Sequence, residues 1–77
     1  MRIGDVIRQA AREAAERLAL YQGWRVQTFT VNADVVILAS GDCAVAVRVA
    51  LIGGGTHCFE YRCDATGSGA LCAVETP

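Results

Sequence analysis

Residues 43–63 read CAVAVRVALIGGGTHCFEYRC, and this stretch decides the fold. Two runs in which apolar residues alternate with other types flank three consecutive glycines, a pattern typical of two antiparallel strands joined by a tight turn. With Gly54 at the centre of the turn, Val47 pairs with Tyr61 and Val49 with Phe59. Because side chains alternate along a strand, these residues share one face of the predicted sheet and form its core side.

Arg48 interrupts the most apolar segment of the chain, and the same register explains its place there. Its side chain points to the face opposite the core, directly across from Glu60 and near Arg62. Cross-strand pairs of opposite charge contribute about 0.2–1 kcal/mol. We therefore expect a surface ion pair between Arg48 and Glu60.

Residues 5–22 are predicted to form a helix. Apolar residues recur three or four positions apart and charged residues occupy the other side, which is the pattern of an amphipathic helix. Asp5 is suited to cap the first turn, and Gly23 to end the helix in the left-handed conformation.

The rest of the chain is predicted to form strands near 24–31, 34–40, 43–52, 56–64 and 69–75. The links between them are short, so neighbouring strands run antiparallel. The predicted fold class is α+β: an N-terminal helix packed on one face of a four- to five-stranded antiparallel meander sheet. Residues 1–77 form one small domain, as expected for this length.

The hairpin over residues 34–52 has two possible registers. A two-residue turn at Gly41-Asp42 places Val35 beside Arg48, whereas a three-residue loop places Asp34 there and gives a row Asp34–Arg48–Glu60. Both registers leave branched aliphatic side chains on the face of Arg48, and one helix covers only one face of a sheet. We therefore expect a partner on this face, with Arg48, Glu60, Arg62 and Asp34 as the candidate binding residues, and we expect a homodimer.

Composition narrows the classes of partner. The net charge is −1, so nucleic acid is not an expected partner. No apolar run is long enough to cross a membrane or to act as a signal peptide, so we expect a cytoplasmic protein without a membrane partner. The use of arginine without lysine suggests a GC-rich bacterial genome.

The cysteines at 43, 58, 63 and 72 are expected to be reduced thiols that are buried as small apolar side chains. Cys58 and Cys63 point to opposite faces of one strand, and Cys43 lies near a diagonal position to Cys63, which disfavours a shared metal ion. His57 and Cys58 are adjacent and also point to opposite faces, so they do not form a nucleophile and base. No metal or other cofactor is expected.

The order helix, GWRV, strand, Asp34, hairpin and strand resembles the front half of the restriction-endonuclease-like nucleases over roughly residues 10–52. In that family, an Asp at the start of the second strand and a Glu-x-Lys on the third bind metal and activate water. Asp34 corresponds to the Asp, but Arg48 and Ala50 stand at the positions of the Glu and the Lys. The resemblance therefore implies a degenerate remnant that lacks its Glu-x-Lys.

Three functional hypotheses follow from the sequence. The first is a non-enzymatic binding or protein-interaction module that acts as a homodimer. The second is a small-molecule-binding domain with a pocket between helix and sheet or at the dimer interface. The third is the nuclease-like remnant. The sequence leans away from enzymatic activity without deciding the question.

Overall fold

The computed structural model describes residues 2–74 and confirms the predicted α+β fold class, with one helix packed on an antiparallel sheet. The helix α1 spans Ile3–Gln22. The strands are β1 Val26–Val31, β2 Val36–Ile37, β3 Cys43–Leu51, β4 Thr56–Cys63 and β5 Gly69–Ala73. The predicted end of the last strand at residue 75 lies outside the described residues.

The ends of α1 depend on the backbone more than on side-chain caps. The N-cap position is Arg2, whose side chain makes no capping hydrogen bond, so the prediction that Asp5 caps the helix is wrong. Asp5 lies inside the first turn, where its carboxylate still faces the positive end of the helix dipole. The prediction for Gly23 is confirmed: it has φ 71°, and its N–H and that of Trp24 bond to the carbonyls of Leu20 and Ala19.

α1 packs on the sheet through small side chains. Ile7, Ala11, Ala15 and Ala19 are each at most 5 % exposed. Alanine allows the helix backbone to approach the sheet closely, because little side-chain volume separates the two layers. The sheet residues beneath the helix are apolar side chains of β3 and β4, as predicted: Val45, Val47, Val49, Phe59, Tyr61 and Cys63.

The strand order is β1-β3-β4-β5, and β2 also pairs with β3. The link at residues 32–33 is therefore not the predicted hairpin between neighbouring strands. β3 is nine residues long, and one of its edges accommodates both β1, opposite residues 47–51, and β2, opposite Cys43 and Ala44. The chain bends between β1 and β2 instead of reversing.

The register between β3 and β4 differs from the predicted one by two residues. The N–H of Leu51 bonds to the carbonyl of Gly55 at 3.0 Å, so the turn is centred on Gly53 and not on Gly54. A displacement of two residues keeps every side chain on its predicted face, which is why the core face is correct. The predicted pair of Arg48 with Glu60 is nevertheless wrong, because Arg48 lies opposite Cys58 and Glu60 opposite Ala46.

Candidate functional site

The outer sheet face is the side of the sheet opposite α1. The register places on it the alternate side chains that do not point toward the helix. Most of these side chains are small or polar, and most are exposed. They are Thr28, Thr30, Val36, Ala44, Ala46, Arg48, Ala50, Thr56, Cys58, Glu60, Arg62, Ala70, Cys72 and Val74.

Three of the four predicted site residues share this face, and the fourth does not. Arg48 lies on β3, whereas Glu60 and Arg62 lie on β4. Neither predicted register of the 34–52 hairpin is correct, because Val36 pairs with Ala44 and Thr30 lies opposite Arg48. Asp34 stands in the bend between β1 and β2, and no ion pair within 4.0 Å joins it to another residue in the range 2–74.

Glu60 is engaged within its own strand. Its Oε1 accepts a hydrogen bond from Nε of Arg62 at 2.6 Å. Residues two apart on a strand project from the same face, which brings the two side chains together. The hydrogen bond from Arg62 to Glu60, together with the negative charge of Glu60, raises the pKa of the Arg62 guanidinium. The expected cross-strand pair is thus replaced by a pair along β4.

Arg48 lies beside a shallow depression on the outer sheet face. The depression has a volume of about 490 Å³, and Thr30, Ala46, Cys58 and Val74 also line it. Arg48 itself is exposed and forms no hydrogen bond or ion pair with another side chain in the range 2–74. Its guanidinium can therefore meet a carboxylate of another molecule in a bidentate manner without first giving up such a partner.

A second groove, of about 650 Å³, lies between the first turns of α1 and the segment 33–37. Its apolar lining includes Ile3 and Ile37, which are 57 % and 74 % exposed, and the buried Ile7. Asp34 belongs to this groove, as do Asp5 and Arg8. Asp34 thus lines a different surface from the depression at Arg48.

Trp24 and His57 form a stacked pair at the other end of α1. Their ring centroids are 4.1 Å apart with an interplanar angle of 5°. The ring of Phe59 lies beside the pair, 6.1 Å from Trp24 and 6.3 Å from His57. His57 is half-buried near the start of β4. Trp24, the residue after Gly23, is partly buried and packs against the hydrophobic core.

All four cysteines are free thiols. Cys43 lies directly opposite Cys63, so the diagonal placement predicted for this pair is wrong for the same reason as the register. Burial raises the pKa of the Cys63 thiol, and the neighbouring Cys43 adds to that rise. Cys58 and Cys72 are exposed on the outer sheet face and are not the buried side chains predicted. Within residues 2–74, no group of three or more His, Cys, Asp and Glu side chains could hold a metal ion.

Sequence reasoning named a pocket between helix and sheet without placing it, and it missed one feature of the sheet. The groove beside α1 depends on the bend at 32–35, which brings Ile37 toward Ile3, and no residue pattern announces that bend. The feature missed is the register shift in β1 between Val26 and Thr28. It keeps both Val26 and Phe29 packed against the core, and the alternation broken at Gln27 is its only trace in the sequence.

Comparison with protein-family models, with curated proteins and with solved structures gives no match to this chain. Within residues 2–74, the helix lacks the combination of length and apolar character that crossing a membrane requires.

Proposed function

We propose that the protein is a non-enzymatic interaction module that acts as a homodimer and binds a protein partner on its outer sheet face. The observation that carries this proposal is the uncovered side of the sheet: α1 packs on one face, and within residues 2–74 no segment packs on the other. Val36 and Val74 are 57 % and 46 % exposed on this side, and a partner that covers them removes their apolar surface from water.

The dimensions of the molecule support the proposal. Its extents are 37 × 31 × 20 Å, so it is a plate only two layers thick. Its accessible surface is 5294 Å², whereas a monomer of this mass exposes about 4,500 Å² by size scaling. A flat shape of this kind exposes more surface than a sphere of the same volume, and that surface is available to a partner.

The chemistry of the outer sheet face favours a partner that carries carboxylates next to small apolar groups. The side chains of Ala46 and Ala50 are small and cover little of the sheet backbone around Arg48. A partner chain can therefore approach the backbone closely. Arg48 provides a planar donor that matches a carboxylate, while Arg62 is already paired with Glu60. The contact with Arg48 is therefore the one that gives specificity.

Two measurements test the proposal. Light scattering on a size-exclusion column gives the mass, and we expect twice 8.1 kDa at high concentration. A photo-crosslinking amino acid at position 46 should capture a partner in cells of the source organism, whereas the same group at position 13, on the exposed side of α1, should not. The Arg48→Glu variant should abolish capture through position 46, and Arg17→Glu, a charge reversal on α1, should preserve it.

Clear outcomes would overturn the proposal. A monomeric mass at every concentration would contradict the proposed homodimer. Equal capture through positions 46 and 13, or capture unaffected by Arg48→Glu, removes the outer sheet face as the binding surface. Mg²⁺-dependent nicking of DNA that is lost in Asp34→Asn would show enzymatic activity and favour the nuclease-like alternative.

The groove beside α1 favours a second candidate function, the binding of a small molecule. Its volume of about 650 Å³ and its mixture of isoleucines with Asp5, Arg8 and Asp34 are typical of a ligand pocket. A thermal-shift screen against metabolites tests it: a ligand that raises the melting temperature of the wild type should fail to stabilise Ile37→Lys. Stabilisation that is equal in the two proteins would place the ligand elsewhere.

A further inference from the structure

The sheet has two edges: β1 and the two-residue strand β2 form one, and β5 forms the other. Within residues 2–74, none of these strands has a neighbour on its outer side. An edge strand exposes unpaired backbone N–H and C=O groups, which form a template for pairing with another chain. The two edges differ sharply in how they are protected.

The β1 edge is blocked by its own features and by α1. Its register shift at Gln27 interrupts the regular ladder. Nε of Arg8 donates to the carbonyl of Asn32 at 2.8 Å, and its terminal nitrogen donates to that of Val31 at 3.3 Å. The guanidinium of Arg12 lies over the ring of Phe29, 5.6 Å from its centroid. Two copies joined at this edge would bring these arginines toward the same arginines of the second copy.

The β5 edge has no such protection. Its sequence, GALCA, contains no charged residue and no proline, and four of its five residues are exposed. On the neighbouring β4, Arg62 and Glu60 form an ion pair with each other on the outer sheet face. Asp64, in the turn before β5, accepts hydrogen bonds from Thr66 and Ser68. Natural proteins normally guard such an edge with lysine, proline or a bulge. An open, neutral edge of this kind indicates a pairing surface.

The hydrogen bonds of β5 identify the groups that face outward. The N–H of Val74 bonds to the carbonyl of Cys58, and that of Asp64 to the carbonyl of Ser68, so the even-numbered residues of this ladder are bonded to β4. Because bonded and non-bonded pairs alternate in an antiparallel ladder, the N–H and C=O groups of Gly69, Leu71 and Ala73 point away from the sheet.

We propose that β5 pairs antiparallel with β5 of a second copy about a two-fold axis at Leu71. This inference rests on the proposed homodimer and specifies how it forms. Leu71 then lies opposite the partner's Leu71, and Gly69 opposite the partner's Ala73, so every outward group finds a complement. The pairing forms roughly six backbone hydrogen bonds. It preserves the face of every side chain and joins the two outer sheet faces into one continuous surface.

Ala73→Pro tests the pairing directly. Proline removes the outward N–H of residue 73 and leaves the bonds between β5 and β4 in place. Two of the roughly six intermolecular hydrogen bonds are lost. We therefore expect the dissociation constant of the dimer, measured by sedimentation equilibrium, to rise by at least about 10-fold. Ala73→Thr is the matched control, since it keeps the N–H and should dimerise like the wild type. A folded Ala73→Pro variant with wild-type affinity would overturn the pairing.

Amide hydrogen exchange of the wild type tests the same pairing without any substitution, so it also applies if Ala73→Pro does not fold. At high concentration the amides of Leu71 and Ala73 should be protected, and dilution should speed their exchange. The amides of Ala70 and Cys72, bonded to β4, should stay protected at both concentrations. A dimer in which Leu71 and Ala73 exchange freely overturns edge pairing alone, whereas a protein that stays monomeric overturns the homodimer as well.

Hydrogen exchange also distinguishes a dimer that forms through β1 from one that forms through β5. A dimer formed through β1 would protect Phe29 and Val31 and would be strengthened by salt, because salt screens the repulsion between arginines. A β5 dimer is held by neutral backbone groups and should be insensitive to ionic strength. Protection of the β1 amides with exchange at β5 would contradict the proposal.

Discussion

At the scale of single residues, Tyr61 connects the core to the turn that precedes β5. It is 4 % exposed, and its hydroxyl donates to the carbonyl of Gly67 at 2.6 Å. The same turn is held from the other side by Asp64, whose carboxylate accepts hydrogen bonds from Thr66 and Ser68. The bonds from Thr66, followed by those from the backbone, lower the pKa of Asp64. These contacts fix where β5 begins.

Replacing Tyr61 with Phe removes one hydrogen bond and leaves the carbonyl of Gly67 without that donor. We expect the free energy of unfolding to fall by about 1–2 kcal/mol, measured by urea denaturation with Trp24 fluorescence. Tyr21→Phe is the matched control, because Tyr21 is 87 % exposed and should leave stability unchanged. Equal losses in the two variants would contradict the role of the Tyr61 hydroxyl.

Tyr61 also makes a pH dependence predictable. Burial is the main reason that its pKa is raised above the usual value of 10.0. The folded state therefore holds the phenol proton more tightly than the unfolded state. The stability contributed by neutral Tyr61 is complete below pH 10 and is lost as the pH rises through the folded-state pKa. The stability difference between the wild type and Tyr61→Phe should shrink over that range.

At the scale of elements, the packing of α1 is set by alanine. Ala11 and Ala15 are 0 % exposed and lie against the apolar side of the sheet. Interiors are packed densely enough that an added methylene displaces its neighbours. The close approach of helix and sheet is therefore a consequence of side-chain size, and it should not survive a larger residue.

Ala15→Leu tests this packing. The larger side chain has no space between α1 and β3, so we expect a loss of about 1–3 kcal/mol in the free energy of unfolding. Glu13→Leu introduces the same side chain on the exposed side of the same helix and should change stability by about 0.5 kcal/mol or less. Circular dichroism during thermal unfolding measures both. A tolerated Ala15→Leu would mean that the interface is looser than its burial indicates.

The elements also show where sequence patterns reach their limit. The period of α1, the alternation in β3 and β4, and Gly23 as the helix end were all predictable, because each depends on residues close together in the chain. The register across Gly53–Gly55 was not, since three consecutive glycines allow more than one turn and the two registers bury the same face. In the observed register Arg48 is not opposite Glu60. Glu60 therefore forms its ion pair with Arg62 and not with Arg48.

At the scale of the whole molecule, the fold has two layers, one helix and one sheet. Within residues 2–74, the outer sheet face and the β5 edge are therefore exposed. A chain this small buries only about 60 % of its unfolded surface, so the proposed association would add to its stability. The proposed β5 pairing keeps both outer sheet faces open, and the partner on that face then meets a surface twice as wide. Dimerisation and partner binding are thus compatible.

This arrangement predicts a melting temperature that depends on protein concentration. A dimer that unfolds to monomers gains stability by mass action, and each tenfold rise in concentration should raise the melting temperature by about 3–6 °C. Ala73→Pro should show a smaller dependence than Ala73→Thr in differential scanning calorimetry. A melting temperature that is constant for the wild type across the concentration range would argue against self-association.

The helix, the antiparallel strands and the division of side chains between a core face and an outer face were all predictable from the residue pattern. These features follow from periodicity, which is local and survives a register shift of two residues. Three features required the folded structure: β1 and β2 share one edge of β3, Asp34 lies apart from Arg48, and β5 is an edge strand without charged residues or proline. Those features depend on which distant backbone groups bond to each other, and several pairings bury nearly the same apolar side chains.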